Sequence, residues 1–312
     1  MRKLKFLPLI GISILIFLIY KIGPEDILNK IIDINPFYLV LILLFYLLNL
    51  LSLTFKWYII LKIQKINLRF IKVLKLYLIG LFYGIITPAK TGSVIRASYL
   101  ISLIKEPFGK CVSGIIIERI MDLFVLFIYS LLGIIFFLNY LVDIKIIIFL
   151  FGFFIFMSLV ILKENFNKLI FRFVYTFFIP KKLKNKSKLI FSSFNKSIPP
   201  LQNLILPLML TFINWIILSI PIYILFKSYS AAVPFVFVVL ISSIGNVVSL
   251  IPITVGGLGT KEAAWIYLFS IFNIEPEIVI SVSLINLFLG NILMSILGFL
   301  IALKEKSPKE LF

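Results

Sequence analysis

Residues 111–138 read CVSGIIIERIMDLFVLFIYSLLGIIFFL, an apolar run whose only charges are Glu118, Arg119 and Asp122. A helix rising 1.5 Å per residue needs about 20 apolar residues to cross roughly 30 Å of hydrocarbon, so this stretch predicts a transmembrane helix. Its charges are costly at that depth, and such groups face a bundle interior and pair there. Glu118 and Asp122 stand four residues apart and therefore share one helical face.

Seven further runs have comparable length, at 6–22, 36–55, 70–86, 145–162, 204–226, 231–251 and 278–303. Two shorter stretches, 93–104 and 258–272, follow breaks that contain Pro and Gly. As helices these two extend only roughly 18 to 22 Å. The whole chain of 312 residues is 62% hydrophobic and 14% charged. A soluble domain is about 45 to 50% apolar and about 25% charged. The expected fold is all-α, a single integral membrane domain over 1–312 with about eight long transmembrane helices and two short broken ones.

Composition also narrows the chemistry. There is no histidine and one cysteine, Cys111. That excludes Ser-His-Asp and Cys-His triads, His/Cys zinc sites, iron–sulfur clusters and an internal disulfide. No cofactor, metal or catalytic residue is expected. The 31 Lys+Arg against 13 Asp+Glu give a net charge of +18, but the basic residues flank apolar runs, which marks membrane orientation and not nucleic-acid binding.

The first run follows Arg2, Lys3 and Lys5, as in a signal peptide. It is succeeded by Tyr20, Lys21, Ile22, Gly23 and Pro24, which offer no small-residue cleavage site, so it is read as an uncleaved span. Lys and Arg accumulate in cytoplasmic loops. The N-terminus, a connection holding Lys56, Lys62, Lys65, Arg69, Lys72 and Lys75, the segment 163–196 and the tail at Lys304, Lys306 and Lys309 are the basic regions. All four share one side only if 93–104 carries the chain across, which places both termini in the cytoplasm of a plasma-membrane protein. Within 163–203, Phe166, Leu169, Ile170, Phe173, Val174 and Phe177 recur at helical spacing among basic residues, predicting an amphipathic segment along an anionic inner leaflet.

The two breaks begin alike. Pro88, Lys90, Gly92 and Arg96 mark the first, and Pro252, Gly256, Gly257, Gly259, Lys261 and Glu262 mark the second. In each a glycine follows the proline by four positions and a basic residue by eight or nine. On the topology above they lie at opposite faces, so 36–162 and 204–303 are expected to be inverted repeats. Backbone freed by such a break must be buried or line a wet cavity. Helices starting there point positive ends inward and can hold an anion. The alternative is that Pro and Gly serve packing and that Glu118, Asp122 and Glu262 form structural ion pairs with Lys90, Arg96, Arg119 and Lys261. Asn246, Asn286, Asn291 and Ser249 can extend a polar lining. Trp57, Trp215 and Trp265 are read as interface anchors or core.

The Pro-x-Lys-x-Gly-x-x-x-Arg element (Pro88 to Arg96), the Glu-Arg-x-x-Asp element (Glu118, Arg119, Asp122) and the Gly-Gly-Leu-Gly-x-Lys-Glu element (Gly256 to Glu262) together resemble the lysylphosphatidylglycerol synthase transmembrane-region family. That family includes the flippase half of the bacterial multiple peptide resistance factor. One departure is Ser93, where the family often carries Glu. The lysyl-transferring domain of such proteins is separate and soluble, so lysyl transfer is not expected here. The resemblance implies lipid translocation, mapped onto Pro88, Lys90, Gly92, Arg96, Glu118, Arg119, Asp122, Gly256, Gly257, Gly259, Lys261 and Glu262. The expected partners are membrane lipids with an anionic headgroup; oligomeric state is left open. Two other functions stay open: a membrane glycosyltransferase or accessory subunit acting on polyprenyl-phosphate sugars, whose only outer acidic cluster would be Glu25, Asp26 and Asp33, and a small-solute transporter.

Overall fold

The computed structural model describes residues 7–85, 87–104, 106–137, 152, 184–250, 254 and 257–305. Among these there are helices and no strands. In chain order they are α1 (Leu7–Ile22), α2 (Pro24–Ile32), α3 (Pro36–Ile63), α4 (Phe70–Ile85), a 3-10 helix (Pro88–Val94), α5 (Ile95–Leu103), α6 (Phe108–Phe136), α7 (Lys184–Lys196), a 3-10 turn (Leu201–Leu204), α8 (Ile205–Ser228), α9 (Phe235–Val248), α10 (Thr260–Ser270) and α11 (Pro276–Ile285). A π-helical segment (Asn286–Ile292) joins α11 to α12 (Leu293–Lys304).

Among the described residues, four continuous helices are long and apolar enough to cross a membrane: Pro36–Ile63, Phe108–Phe136, Leu201–Ser228 and Pro276–Lys304. Shorter apolar helices occupy the expected runs at 6–22, 70–86 and 231–251. Apart from Gly152, the expected span 145–162 and the apolar positions 166–177 lie outside the described residues. The outer faces of α3, α8 and α12 carry exposed Leu44, Leu48, Met209, Ile213, Phe299 and Leu300, which water would penalise and lipid accepts. Inside, one apolar core joins Ile42, Trp57 and Ile79 to Phe226, Ile241 and Phe269.

Contacts fix the helix directions. Lys56 meets Asp122 while Gln64 meets Ser113, so α3 and α6 run antiparallel. Ile117 and Met121 pack with Leu204, and Tyr129 donates to the Phe212 carbonyl, so α6 and the Leu201–Ser228 helix run parallel. It follows that α3 and α8 are antiparallel, and they cross where the Asn49 amide donates to the Asn214 carbonyl at 3.1 Å. The other extensive pairings are α4 with α12 and α6 with α9. A spacing of 165 residues separates Pro36 from Leu201, Phe70 from Phe235 and Ile95 from Thr260, the starts of three successive helical elements.

Helix α7 seats the basic segment on the start of α6. A side chain at Gly109 would collide with the Ile190 carbonyl, and Gln64 donates to both Ser113 and the Ser197 carbonyl, at 2.8 and 3.1 Å.

Candidate functional site

The first break is built from its own polar atoms. Thr87 sits in extended backbone, as expected before a proline, and ends the helical path of α4. Its hydroxyl donates to the Tyr83 carbonyl at 2.9 Å and accepts from the Gly92 amide at 2.7 Å, satisfying groups that lipid could not. Gly92 lies against the Tyr83 carbonyl so closely that no Cβ fits. The 3-10 helix then turns into α5, whose first turn presents Arg96 to α3, α4 and α6.

There Arg96 donates to Glu118, which also lies 3.8 Å from Lys56, and Lys56 is bonded to Asp122. Lys56 and Glu118 are 0% and 2% exposed and the Asp122 side chain 18%. The Arg96 guanidinium also stacks on Trp57, 4.2 Å from the ring centre, and near Tyr77 at 5.0 Å. Removing one partner of such a buried network costs about 3 to 5 kcal/mol, because a charge is left in a poorly polarisable interior. Among the described residues, the Arg96 Nε and the Trp57 indole nitrogen are buried without a hydrogen-bond partner.

Lys56 was expected in a basic connection outside the membrane, and the structure corrects this. Helix α3 continues to Ile63, so the lysine belongs to the span. An apolar-run criterion stops at the first charge, whereas the helix runs on because that charge is neutralised 66 residues away.

Arg119 takes a different path. It donates to Ser93 at 3.0 Å and, among the described residues, forms no ion pair. It lines a small cleft of about 50 Å³ between α4, α6 and the π-helical span, with Asn291, Ser295 and three glycines, Gly80, Gly84 and Gly290. Counting Lys56, Arg96 and Arg119 against Glu118 and Asp122, the described side chains of this region carry one surplus positive charge. A lone arginine at the bilayer centre costs about 2.5 to 3.5 kcal/mol on insertion scales, which an anion in the cleft would offset.

The second break is organised around a carboxylate. Gly257 and Gly259 adopt positive φ, +75° and +80°, which side-chain-bearing residues rarely take, and lead into α10. Glu262 accepts from the Gly259 amide at 2.7 Å, capping its own helix, and from the Ser283 hydroxyl at 2.7 Å. Lys261 lies 3.4 Å from Glu262 and 4.8 Å from the Trp265 ring centre.

The structure therefore gathers Arg96, Glu118, Arg119 and Asp122 in one region and Gly257, Gly259, Lys261 and Glu262 in another. Among the described residues no hydrogen bond or ion pair joins the two. Gly256 and the side chains of Pro88 and Lys90 lie outside the described residues. Of the asparagines considered as lining, Asn291 reaches the cleft, Asn286 accepts from Tyr46 at 2.5 Å, and Asn246 donates to the Ser242 carbonyl. Trp57 and Trp265 are core. Lys56 and Ser283 escaped sequence reasoning, because Lys90, Arg96, Arg119 and Lys261 already offered the buried acids enough cations.

A bundle of apolar helices whose exposed faces suit lipid, and whose interior pairs Lys56 and Arg96 with Asp122 and Glu118, is a multi-pass membrane protein. Residues 6–298 match the family described as Lysylphosphatidylglycerol synthase TM region, and the chain belongs to that family. It is similar to a UPF0104 membrane protein of Methanocaldococcus jannaschii, 26% identical over 96% of this chain and 94% of the relative. A UPF0104 membrane protein of Pyrococcus horikoshii is 22% identical over 97% and 98% respectively, and a second one of M. jannaschii is 28% identical over 62% of this chain and 82% of its own length.

Proposed function

We propose that this protein moves a lipid, or a lipid-linked glycan, between the leaflets of the plasma membrane, with its headgroup entering a polar path at mid-depth and its tails remaining in lipid. The observation that carries this reading is the surplus cation at the first break: Arg119 faces a cleft while its neighbours Arg96 and Lys56 are neutralised by Glu118 and Asp122. A permanently buried structural network has no need of an extra charge. A site that receives an anion does.

Family membership supports the proposal, and so does the helix arrangement. We take the segments 36–162 and 204–303 as inverted repeats, with both termini cytoplasmic. The antiparallel crossing of α3 and α8 and the constant 165-residue spacing of helix starts agree with that. Inverted repeats with discontinuous helices meeting near the midplane are a transporter architecture. Glu118, Asp122 and Glu262 balance charge around the path, and Lys261 supplies the cation of the second repeat. The outer acids Glu25, Asp26 and Asp33 gain nothing from the geometry toward sugar transfer, since Asp26 packs on Gly23 and the nearby Lys30 pairs with Glu275 at 3.2 Å.

Reconstitution in liposomes carrying labelled lipids on one leaflet tests the proposal. Accelerated exchange of an anionic lipid is expected. Unchanged leaflet distribution across a broad lipid panel refutes it.

A further inference from the structure

We infer that the Arg119 cleft selects phosphate headgroups that carry no amine: it accepts an anionic phosphodiester or phosphomonoester and rejects zwitterionic and cationic headgroups. This rests on the translocation reading and adds the substrate class to it.

Arg119 is the twelfth residue of α6, roughly 17 Å along it, which places the cleft deep in the span. Lipid cannot solvate a phosphate there, so the protein must supply the donors. The guanidinium has five N–H groups in a planar fork suited to phosphate oxygens, and only its bond to Ser93 occupies it among the described contacts. Asn291 and Ser295 add a neutral amide and a hydroxyl to the lining. Gly80, Gly84 and Gly290 contribute backbone alone to this lining, and where Gly80 and Gly290 would carry a Cβ the side chains of Arg96 and Tyr46 already pack.

What the cleft lacks is equally specific. Among the described residues its lining holds no carboxylate. The two on the same helix are engaged, Glu118 by Arg96 and Asp122 by Lys56. An ammonium brought in with a phosphate would find no acidic partner, and it would sit in a region already one positive charge in excess. Aminoacylated or ethanolamine headgroups are thus excluded by charge and not by size.

The test uses the purified full chain. Phosphatidylglycerol, phosphatidylethanolamine, a lysylated phosphatidylglycerol and inorganic phosphate are offered in turn, and lipid retained on the protein is read by native mass spectrometry. Retention of phosphatidylglycerol alone is expected, falling about tenfold or more in Arg119→Gln through loss of a charge-assisted contact and recovering in part in Arg119→Lys. Asn291→Leu, which leaves the ion network intact, should weaken retention less. Equal retention of the ethanolamine or lysylated lipid, or no change in Arg119→Gln, overturns the inference. Displacement of the lipid by millimolar inorganic phosphate assigns the cleft to a free anion and overturns it as well. Selective retention without leaflet exchange would instead sink the translocation reading, while exchange of all headgroups at one rate would spare translocation and sink the selectivity.

Discussion

The two broken helices occupy the same place in their halves of the bundle yet carry different chemistry. Arg96 and Lys261 are 165 residues apart, as are Glu118 and Ser283, Gly80 and Gly245, and Asn49 and Asn214. At both places the cation is packed against the corresponding glycine, so that a Cβ added at Gly80 would come 3.0 Å from Arg96 Cδ and one at Gly245 3.2 Å from Lys261 Cγ. At both places the long helix that follows sends a hydrogen-bonding side chain back to the broken one, Glu118 to Arg96 and Ser283 to Glu262. The backbone arrangement is common to both, and the charge is not. Positions matching Lys56, Arg119 and Asp122 hold Pro221, Leu284 and Leu287, so the first half alone has an extended ionic network. Close helix approach belongs to the scaffold, and ligand chemistry belongs to a few positions on it.

The largest expected effect separates the halves directly. Glu118→Ala strands Arg96 and leaves Lys56 with Asp122 alone, and it should cost about 3 to 5 kcal/mol in denaturant unfolding in detergent micelles. Stability equal to the parent protein would mean that the first region is not held by its charges. Next, a double-mutant cycle of Lys56→Met and Asp122→Asn should show a coupling of about 1 to 3 kcal/mol by the same measurement, and a coupling near zero would contradict the bond between them.

The helix crossings give a smaller contrast. A Cβ at Gly298 would overlap the Leu78 carbonyl, whereas at its counterpart Gly133 it would meet the Leu240 Cβ at 3.1 Å. Gly298→Ala should therefore lower the unfolding midpoint by an amount matching about 1 to 3 kcal/mol, and Gly133→Ala by less. Equal effects would break the assigned geometry of the α4–α12 crossing. Smallest is Ser283→Ala, which removes one of the acceptor contacts of Glu262 and should cost about 1 kcal/mol in the same assay, far below Glu118→Ala at the matching position.

Much of the architecture was legible before any contact was known. Apolar run length located every described span, because a bilayer imposes its thickness on the chain. The spacing of Glu118 and Asp122 placed both toward the bundle interior, where they are found. The register between the halves was read one residue differently. Alignment on Pro88 and Pro252 pairs Gly92 with Gly256, whereas the helix starts pair it with Gly257, because the second break reaches its helix through two positive-φ glycines. Lys56 was placed in a loop, since local hydropathy has no knowledge of a carboxylate on another helix. Which cation would be neutralised and which would face a cleft likewise depended on packing: Arg96 and Arg119 both lie beside Glu118 in the fold or the sequence, and only tertiary geometry distinguishes them.

The complete enclosure of Lys56 has a bearing on how the protein comes together. The ribosome makes this lysine 66 residues before its partner Asp122. A lone ammonium on α3, roughly 10 Å from the helix end, reaches toward the headgroups on its flexible stem. Arrival of α6 gives it a carboxylate and lets the apolar neighbours close over it, so the third helix settles to its final depth only after the sixth has been threaded, and the ionic seam acts as a latch on the order of assembly.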